Sequence, residues 1–225
     1  MSMQLEKNKA ILSKYIPAKS VNIIAQWIYH YNFKLKIKKS RSSKYGDYRP
    51  PIKKMFASLK TPLNQEEANH QITINNDLNP YAFLITLIHE IAHLSNWEKH
   101  KNKVKPHGEE WKTEYKVLMD NFLNEEIFTI DIIEALMNYM RNPAASSCSD
   151  ITLQRVLKKY DKKKDVILLE ELQEECIFKI ASGRYFIKGK KIRKRYKCKE
   201  VNTNKEYLFN PLSEVLIIQN VLQNS

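Results

Sequence analysis

The chain is poor in cysteine and has no long apolar run, and these two absences exclude several classes of protein. Its three cysteines, Cys148, Cys176 and Cys198, are odd in number and widely spaced. Such a set fits reduced thiols in the cytosol better than the disulfide framework of a secreted protein. No stretch approaches the roughly eighteen uninterrupted apolar residues of a membrane-spanning helix. Residues 1–9 also lack the apolar core of a secretory signal. We therefore expect a soluble, cytoplasmic protein with no membrane partner.

Acidic residues are in deficit as well. Lysine and arginine total 38 against 25 aspartates and glutamates, which gives a formal net charge of +13. Because self-repulsion from such an excess opposes compaction, the charge indicates an anionic partner, and nucleic acid fits best. The alternative is a lysine-rich, solvated surface that reflects base-composition bias.

The most specific pattern in the chain is His89-Glu90-Ile91-Ala92-His93. Pro80 suits a first helical turn, and the largely apolar residues 81–88 predict a buried helix that runs into the motif. Two histidines four residues apart on a helix lie nearly above one another, so both can bind one cation. The adjacent glutamate can take a proton from water bound to that cation. The pattern predicts a zinc hydrolase site with His89 and His93 as ligands and Glu90 as the general base. The alternative is a pair of core histidines bonded to backbone carbonyls.

A catalytic zinc ion needs a third protein ligand and keeps its fourth position for water. Asn96 and Lys99 stand where the metzincin pattern requires glycine and histidine, so that pattern fails. We favour His107, which lies in the turn 106–108 directly before a predicted helix. The rival is His100, which lies among lysines in a segment that we expect to be an exposed loop.

The segment His89–His93, followed by Pro-His-Gly-Glu-Glu-Trp at 106–111, resembles the SprT-like zinc metalloprotease domain. The similarity covers roughly residues 10–120. It implies that His89, His93 and His107 bind zinc and that Glu90 is the catalytic base. Eukaryotic members called Spartan act on proteins crosslinked to DNA. The implied activity is hydrolysis of peptide bonds in a protein or peptide substrate.

The predicted fold class is α+β, with a zincin-like domain of helices on a small antiparallel sheet. Helices precede a strand that alternates apolar and basic residues over Phe33–Ile37, and a second strand spans His70–Asn75. An edge strand of this sheet would pair with an extended substrate, and residues 71–74 are expected to belong to the sheet. Lone histidines before strands are usually at the surface, and we expect this of His70. Further helices are predicted at Glu125–Met140, capped by Asn124, and from Asp150 to Tyr160.

We expect residues 1–160 to form the zincin-like domain with its helical extension, and residues 161–225 a small basic β-rich module. Short β-prone runs there alternate with turns at Gly189 and at 202–204, as in an antiparallel sheet. Many SprT-like proteins carry a four-cysteine zinc ribbon at this place. This chain has no Cys-x-x-Cys pair, so we expect a metal-free counterpart. Cys148 is interpreted as a turn residue rather than a nucleophile, because no histidine or glycine elbow accompanies it.

The same module contains the densest basic region of the chain. Cations that neutralise phosphates, interleaved with aromatic rings that stack on bases, suit single-stranded DNA. The alternative is a hairpin with its aromatic rings turned inward and its lysines solvated. The predicted nucleic-acid-binding residues are Arg184, Lys188, Lys190, Lys191, Arg193, Lys194, Arg195 and Tyr196.

Three functional hypotheses follow. The leading one is a zinc metallopeptidase that acts on proteins associated with nucleic acid. The others are a DNA- or RNA-associated binding protein with weak or no protease activity, and a zinc hydrolase of a non-peptide substrate. For the oxyanion of the peptidase reaction, we expect a donor from Tyr115 or from the basic segment 39–54.

Overall fold

The computed structural model describes residues 2–41, 44–51, 69–144, 150–162 and 167–219. The chain divides into two compact units, residues 1–161 and 162–225. The first unit contains helices and one three-stranded sheet. Its elements are α1 (Ser2–Leu12), α2 (Val21–His30), β1 (Phe33–Lys38), β2 (Gly46–Arg49), β3 (His70–Asn75), α3 (Pro80–His100), α4 (Glu109–Asp120), α5 (Ile130–Met140) and α6 (Ile151–Lys158).

The sheet of the first unit has the order β1-β3-β2. β1 pairs with β3 in parallel, and β2 pairs with β3 in antiparallel fashion. The α+β class is confirmed, but the sheet is mixed rather than antiparallel as expected. The sequence did not indicate β2, because its four residues Gly-Asp-Tyr-Arg show no alternation of apolar and polar side chains. This short strand pairs with the central strand β3 and is one edge of the sheet.

Asn79 caps the N-terminus of α3, since its Oδ1 accepts hydrogen bonds from the backbone N–H groups of Tyr81 and Ala82 at 3.1 and 2.9 Å. This side chain satisfies two of the amides that a helix start leaves without partners. Almost every side chain from Ala82 to Asn96 is buried. The helix is a central element of the hydrophobic core, which explains its apolar approach to the histidine motif.

Two predictions about the later helices have different outcomes. Asp150 caps α6 as expected, since its Oδ1 accepts from the N–H of Leu153 at 2.8 Å. Helix α5 is shorter than predicted and begins after Thr129, not after Asn124. The Asn124 side chain instead accepts from the N–H of Glu126 at 3.2 Å, which stabilises a turn before the helix.

The second unit is a six-stranded antiparallel sheet of order β4-β9-β5-β6-β7-β8. Its core includes Phe178, Phe186, Cys198 and Val215. Its strands are β4 (Ile167–Leu168), β5 (Ile177–Lys179), β6 (Tyr185–Ile192), β7 (Arg195–Glu200), β8 (Glu206–Phe209) and β9 (Glu214–Gln219), the last not predicted.

The turn that we expected at Gly189 is absent, because the chain continues through this residue within β6. The turn between β6 and β7 lies at Arg193 and Lys194, and Arg193 has a φ of 55°. Gly189 serves another purpose, because a Cβ there would collide with the backbone carbonyl of Lys197 on the neighbouring strand. The glycine thus permits a close approach of two strands instead of a turn.

The cysteines that the structure describes, Cys176 and Cys198, are buried and form no disulfide. Cys148 lies outside the described residues. Among the described helices, none combines the length and the apolar character that crossing a membrane requires.

Candidate metal centre and its pocket

The three histidines predicted as ligands come together in the first unit. His89 and His93 lie on α3, and His107 lies in the turn before α4. One ligand atom of each residue lies within 4.8 Å of those of the other two. His100 is not part of this group. We expected it in an exposed loop, but it is the last residue of α3.

Helix α4 supplies an aromatic wall behind the histidines. The ring of Trp111 is buried, and its centroid lies 4.8 Å from that of His89, 5.2 Å from that of His93 and 4.8 Å from that of His107. Because one rigid indole contacts all three imidazoles, their orientations are restricted before any cation binds. Such pre-organisation lowers the entropic cost of ligation.

The histidine group fits a zinc ion in its chemistry. Burial, followed by the charges of the neighbouring histidines, lowers the pKa of His93 to about 3 and that of His89 well below its ordinary value. Burial also lowers the pKa of His107. The rings are therefore neutral and have lone pairs to offer. His89 Nδ1 and His107 Nε2 are buried and have no hydrogen-bond partner in the described part of the chain. Three neutral imidazoles are a known donor set for catalytic zinc.

Glu90 is buried beside this group. Burial, followed by the charge of Asp47, raises the pKa of the Glu90 carboxyl to about 8. The backbone N–H of Tyr48 donates a hydrogen bond to Glu90, which acts in the opposite direction together with Lys44 and Arg41. Strand β2 thus contacts the carboxyl group through its backbone and helps to orient it.

A pocket of about 380 Å³ opens over these residues. Helix α3 contributes lining residues between His89 and Trp97, and the others come from β2, from Pro50 after it and from the segment between α3 and α4. The pocket is lined by Gly46, Asp47, Tyr48, Pro50, His89, Glu90, His93, Asn96, Trp97, Lys101, Asn102, Val104, Pro106 and His107.

Of the two expected sources of an oxyanion donor, Tyr115 is not at the pocket. It is fully buried, and its hydroxyl donates to the carbonyl of Ile85 at 3.5 Å. Tyr48, from the basic segment 39–54, does line the pocket. Its ring is nearly parallel to that of His93, with 6.5 Å between the centroids.

We expected His70 at the surface, but it is buried. Its Nδ1 is 2.8 Å from the Tyr48 hydroxyl, and its Nε2 is 2.7 Å from Glu98 Oε1. A histidine at the start of a strand carries no local signal of such contacts, because its partners are 22 and 28 residues away along the chain.

The structure separates the predicted nucleic-acid-binding residues into two groups. Arg184 donates to Glu200 at 2.6 Å, Lys188 is buried with its ammonium group bonded to the carbonyl of Leu172, and Tyr196 is partly buried under Lys188. These three residues therefore have contacts within the second unit, and the Arg184 side chain is also exposed. The other five are exposed around the β6–β7 turn: Lys190, Lys191, Arg193, Lys194 and Arg195.

Comparison with known proteins identifies a family for part of the first unit. Residues 31–130 match the model of the SprT-like family. The match includes the three histidines, Glu90 and strands β1–β3, and it confirms the resemblance seen in the motifs. No curated protein and no solved structure matches the chain significantly.

Proposed function

Residues 31–130 of this chain belong to the SprT-like family, and from that premise we propose that the protein is a zinc-dependent metallopeptidase. Family membership indicates a metalloprotease-like domain. The observation that carries the proposal is the convergence of three neutral imidazoles and a buried carboxyl group at one open pocket. This combination supplies both a metal site and a base, which are the two requirements of hydrolysis by metal-activated water.

In this proposal His89, His93 and His107 hold the zinc ion. A zinc ion bound there supplies positive charge that acidifies water and polarises a carbonyl group. Glu90 accepts the proton of the attacking water and returns it to the departing amine. Its buried position favours this role, because burial raises the pKa of the carboxyl and so makes the carboxylate a stronger base.

The position of β2 supports an extended peptide as substrate. β3 contains residues 71–74 and is the central strand, so β2 is the edge strand that borders the pocket. An edge strand leaves backbone N–H and C=O groups available for pairing with another chain. We propose that a substrate peptide pairs with β2 and thereby lies across Glu90.

The test compares the wild-type protein with Glu90→Gln in cleavage of casein and in self-cleavage, with and without DNA and a chelator. We expect Glu90→Gln to retain zinc and to lose hydrolysis by about 100-fold or more, since the amide cannot act as a base. Zinc content by elemental analysis is the control for an intact site. Equal cleavage by both proteins would contradict the assigned role of Glu90.

We further propose that the substrates are proteins associated with nucleic acid, and that DNA is bound by the exposed residues of the β6–β7 turn. The net charge of +13 and the five exposed cations support this proposal. The second candidate function is a nucleic-acid-binding protein with weak or no protease activity. DNA binding without cleavage of any protein under any condition would favour that candidate.

A further inference from the structure

Tyr48, His70 and Glu98 are joined in series by hydrogen bonds that begin at the pocket. Tyr48 lines the pocket on β2, His70 begins β3, and Glu98 lies near the end of α3. The Tyr48 hydroxyl is 2.8 Å from His70 Nδ1, and His70 Nε2 is 2.7 Å from Glu98 Oε1. Glu98 Oε2 in turn accepts from Lys101 Nζ at 3.0 Å. Each link is short enough to fix the position of the next group.

The positions of the hydrogens in these hydrogen bonds follow from Lys101, at the other end of the series from Tyr48. Lys101 can only donate, and its hydrogen bond to Glu98 holds the pKa of that carboxyl below its ordinary value. An ionised Glu98 can only accept, so His70 must present an N–H at Nε2. Burial lowers the pKa of His70, which favours the neutral ring. A neutral ring with its hydrogen on Nε2 has a lone pair on Nδ1, and the Tyr48 O–H must therefore donate to it.

Because the Tyr48 hydroxyl hydrogen is used in the bond to His70, the Tyr48 oxygen can only accept a hydrogen bond from a group in the pocket. We infer that Tyr48 is a hydrogen-bond acceptor for an N–H group of the substrate peptide, and that His70 and Glu98 are positioning residues that impose this polarity. The inference rests on the proposed peptidase function and deepens it. It excludes Tyr48 as the donor to a developing oxyanion while His70 is neutral.

The surrounding packing supports a fixed geometry. The rings of Tyr48 and His70 are stacked with centroids 5.8 Å apart, and the indole of Trp97 packs edge-on against His70 at 5.1 Å. The ammonium group of Lys101 lies 4.1 Å from the centroid of the Trp97 ring. The imidazole is thus held on two sides as well as at both nitrogens, so the direction of its lone pair is determined by the fold.

The direct test is ¹⁵N NMR of the His70 side chain in the full chain at neutral pH, with His70→Gln to assign the signals. We expect Nε2 to have the chemical shift of a protonated nitrogen and Nδ1 that of a nitrogen with a lone pair. Protonation of both nitrogens, or the reverse tautomer, would overturn the inference, because Tyr48 could then donate into the pocket. This measurement needs no substrate, so it gives a result even if the protein has no peptidase activity.

A kinetic test uses casein cleavage by Tyr48→Phe, with Tyr45→Phe as the matched control. The Tyr45 hydroxyl contacts Gln154 at 3.4 Å, and Tyr45 does not line the pocket. An acceptor for a substrate N–H acts before and during the reaction, so Tyr48→Phe should raise KM about tenfold and leave kcat nearly unchanged. A fall in kcat at constant KM would assign Tyr48 to the oxyanion and sink the inference.

The role of Glu98 is tested with Glu98→Gln. The amide can donate as well as accept, so it no longer forces the hydrogen of His70 onto Nε2. We expect the NMR signals of His70 to show a mixture of tautomers in this variant, with unchanged zinc content. Signals identical to the wild type would show that Glu98 does not control the tautomer. Absence of cleavage by the wild-type protein would contradict the proposed function alone, since the tautomer is read independently.

Discussion

Gly46 on β2 lies directly against Glu90 on α3, so that a Cβ at this position would be 2.6 Å from Glu90 Oε1. It would also lie 2.8 Å from the methyl group of Thr86. Glycine is required here for the close approach of a strand to the proposed catalytic base, not for an unusual backbone angle. The approach lets the next residues of β2 line the pocket beside the carboxyl group.

Gly46→Ala should therefore displace Glu90 while the three histidines stay in place. We expect kcat for casein cleavage to fall about 100-fold, as for other small misplacements of a catalytic group. Zinc content and the thermal midpoint serve as controls for the metal site and the fold. Wild-type kcat in Gly46→Ala would show that Glu90 can shift without loss of function.

The third metal ligand is tested by the pair His107→Ala and His100→Ala. His107 belongs to the histidine group, whereas His100 ends α3 outside it. We expect His107→Ala to lose the single zinc ion on dialysis, because two protein ligands hold it too weakly, and His100→Ala to retain it. Elemental analysis gives the stoichiometry. Loss of zinc in His100→Ala alone would reverse the assignment.

The exposed basic turn of the second unit is tested by charge reversal. Changing Arg193, Lys194 and Arg195 to glutamate should weaken binding of single-stranded DNA at least tenfold and reduce its salt dependence, since fewer counterions are released. The control changes three exposed lysines of the first unit to glutamate, which gives the same net charge. These are Lys7, Lys14 and Lys39. An equal loss in both variants, measured by fluorescence anisotropy, would indicate general attraction instead of a site.

Glu200 should make the stability of the second unit depend on pH. Hydrogen bonds from Arg184, Thr203 and Tyr207 lower its pKa from 4.5 to about 2, with Arg184 as the largest cause. Because the folded pKa is depressed, the stabilisation is complete above pH 4.5 and is lost as the pH falls toward 2. Glu200→Gln should thus destabilise this unit at pH 7, and the difference from wild type should disappear in acid.

The measurement is the reaction of buried Cys176 and Cys198 with 4,4′-dithiodipyridine, which also reports thiols at low pH. Both proteins carry Cys148→Ser, so that only the cysteines of the second unit react. Faster labelling of Glu200→Gln at pH 7 is the expected outcome. A constant ratio of the labelling rates from pH 7 to pH 3 would contradict the linkage.

The site could be predicted where it depends on local spacing. The i, i+4 positions of His89 and His93 follow from the helical repeat, and the apolar residues before them indicate a buried helix. The strand alternation over Phe33–Ile37 is equally local, and β1 follows it. The turn before a predicted helix favours His107, and the structure places it with the other two histidines.

What could not be predicted depends on contacts between residues far apart in the chain. β2 has no periodic pattern, and Gly46 is explained only by the Glu90 side chain that it faces. His70 is one of six histidines in the sequence, and its link to Tyr48 and Glu98 exists only once β2, β3 and α3 are packed together. Nothing in the sequence around Arg184 and Lys188 indicates their partners. The fold of the second unit places Glu200 beside Arg184 and the carbonyl of Leu172 beside Lys188.

By itself, then, the sequence determined the residue types and the helical spacing of the candidate metal site, because an α-helix converts four residues of separation into one shared face. Only the tertiary structure decided which strand borders the pocket, which tyrosine faces it and which cations remain exposed. These properties depend on distances between separate elements, and such distances are set by core packing and strand pairing and not by the order of neighbouring residues.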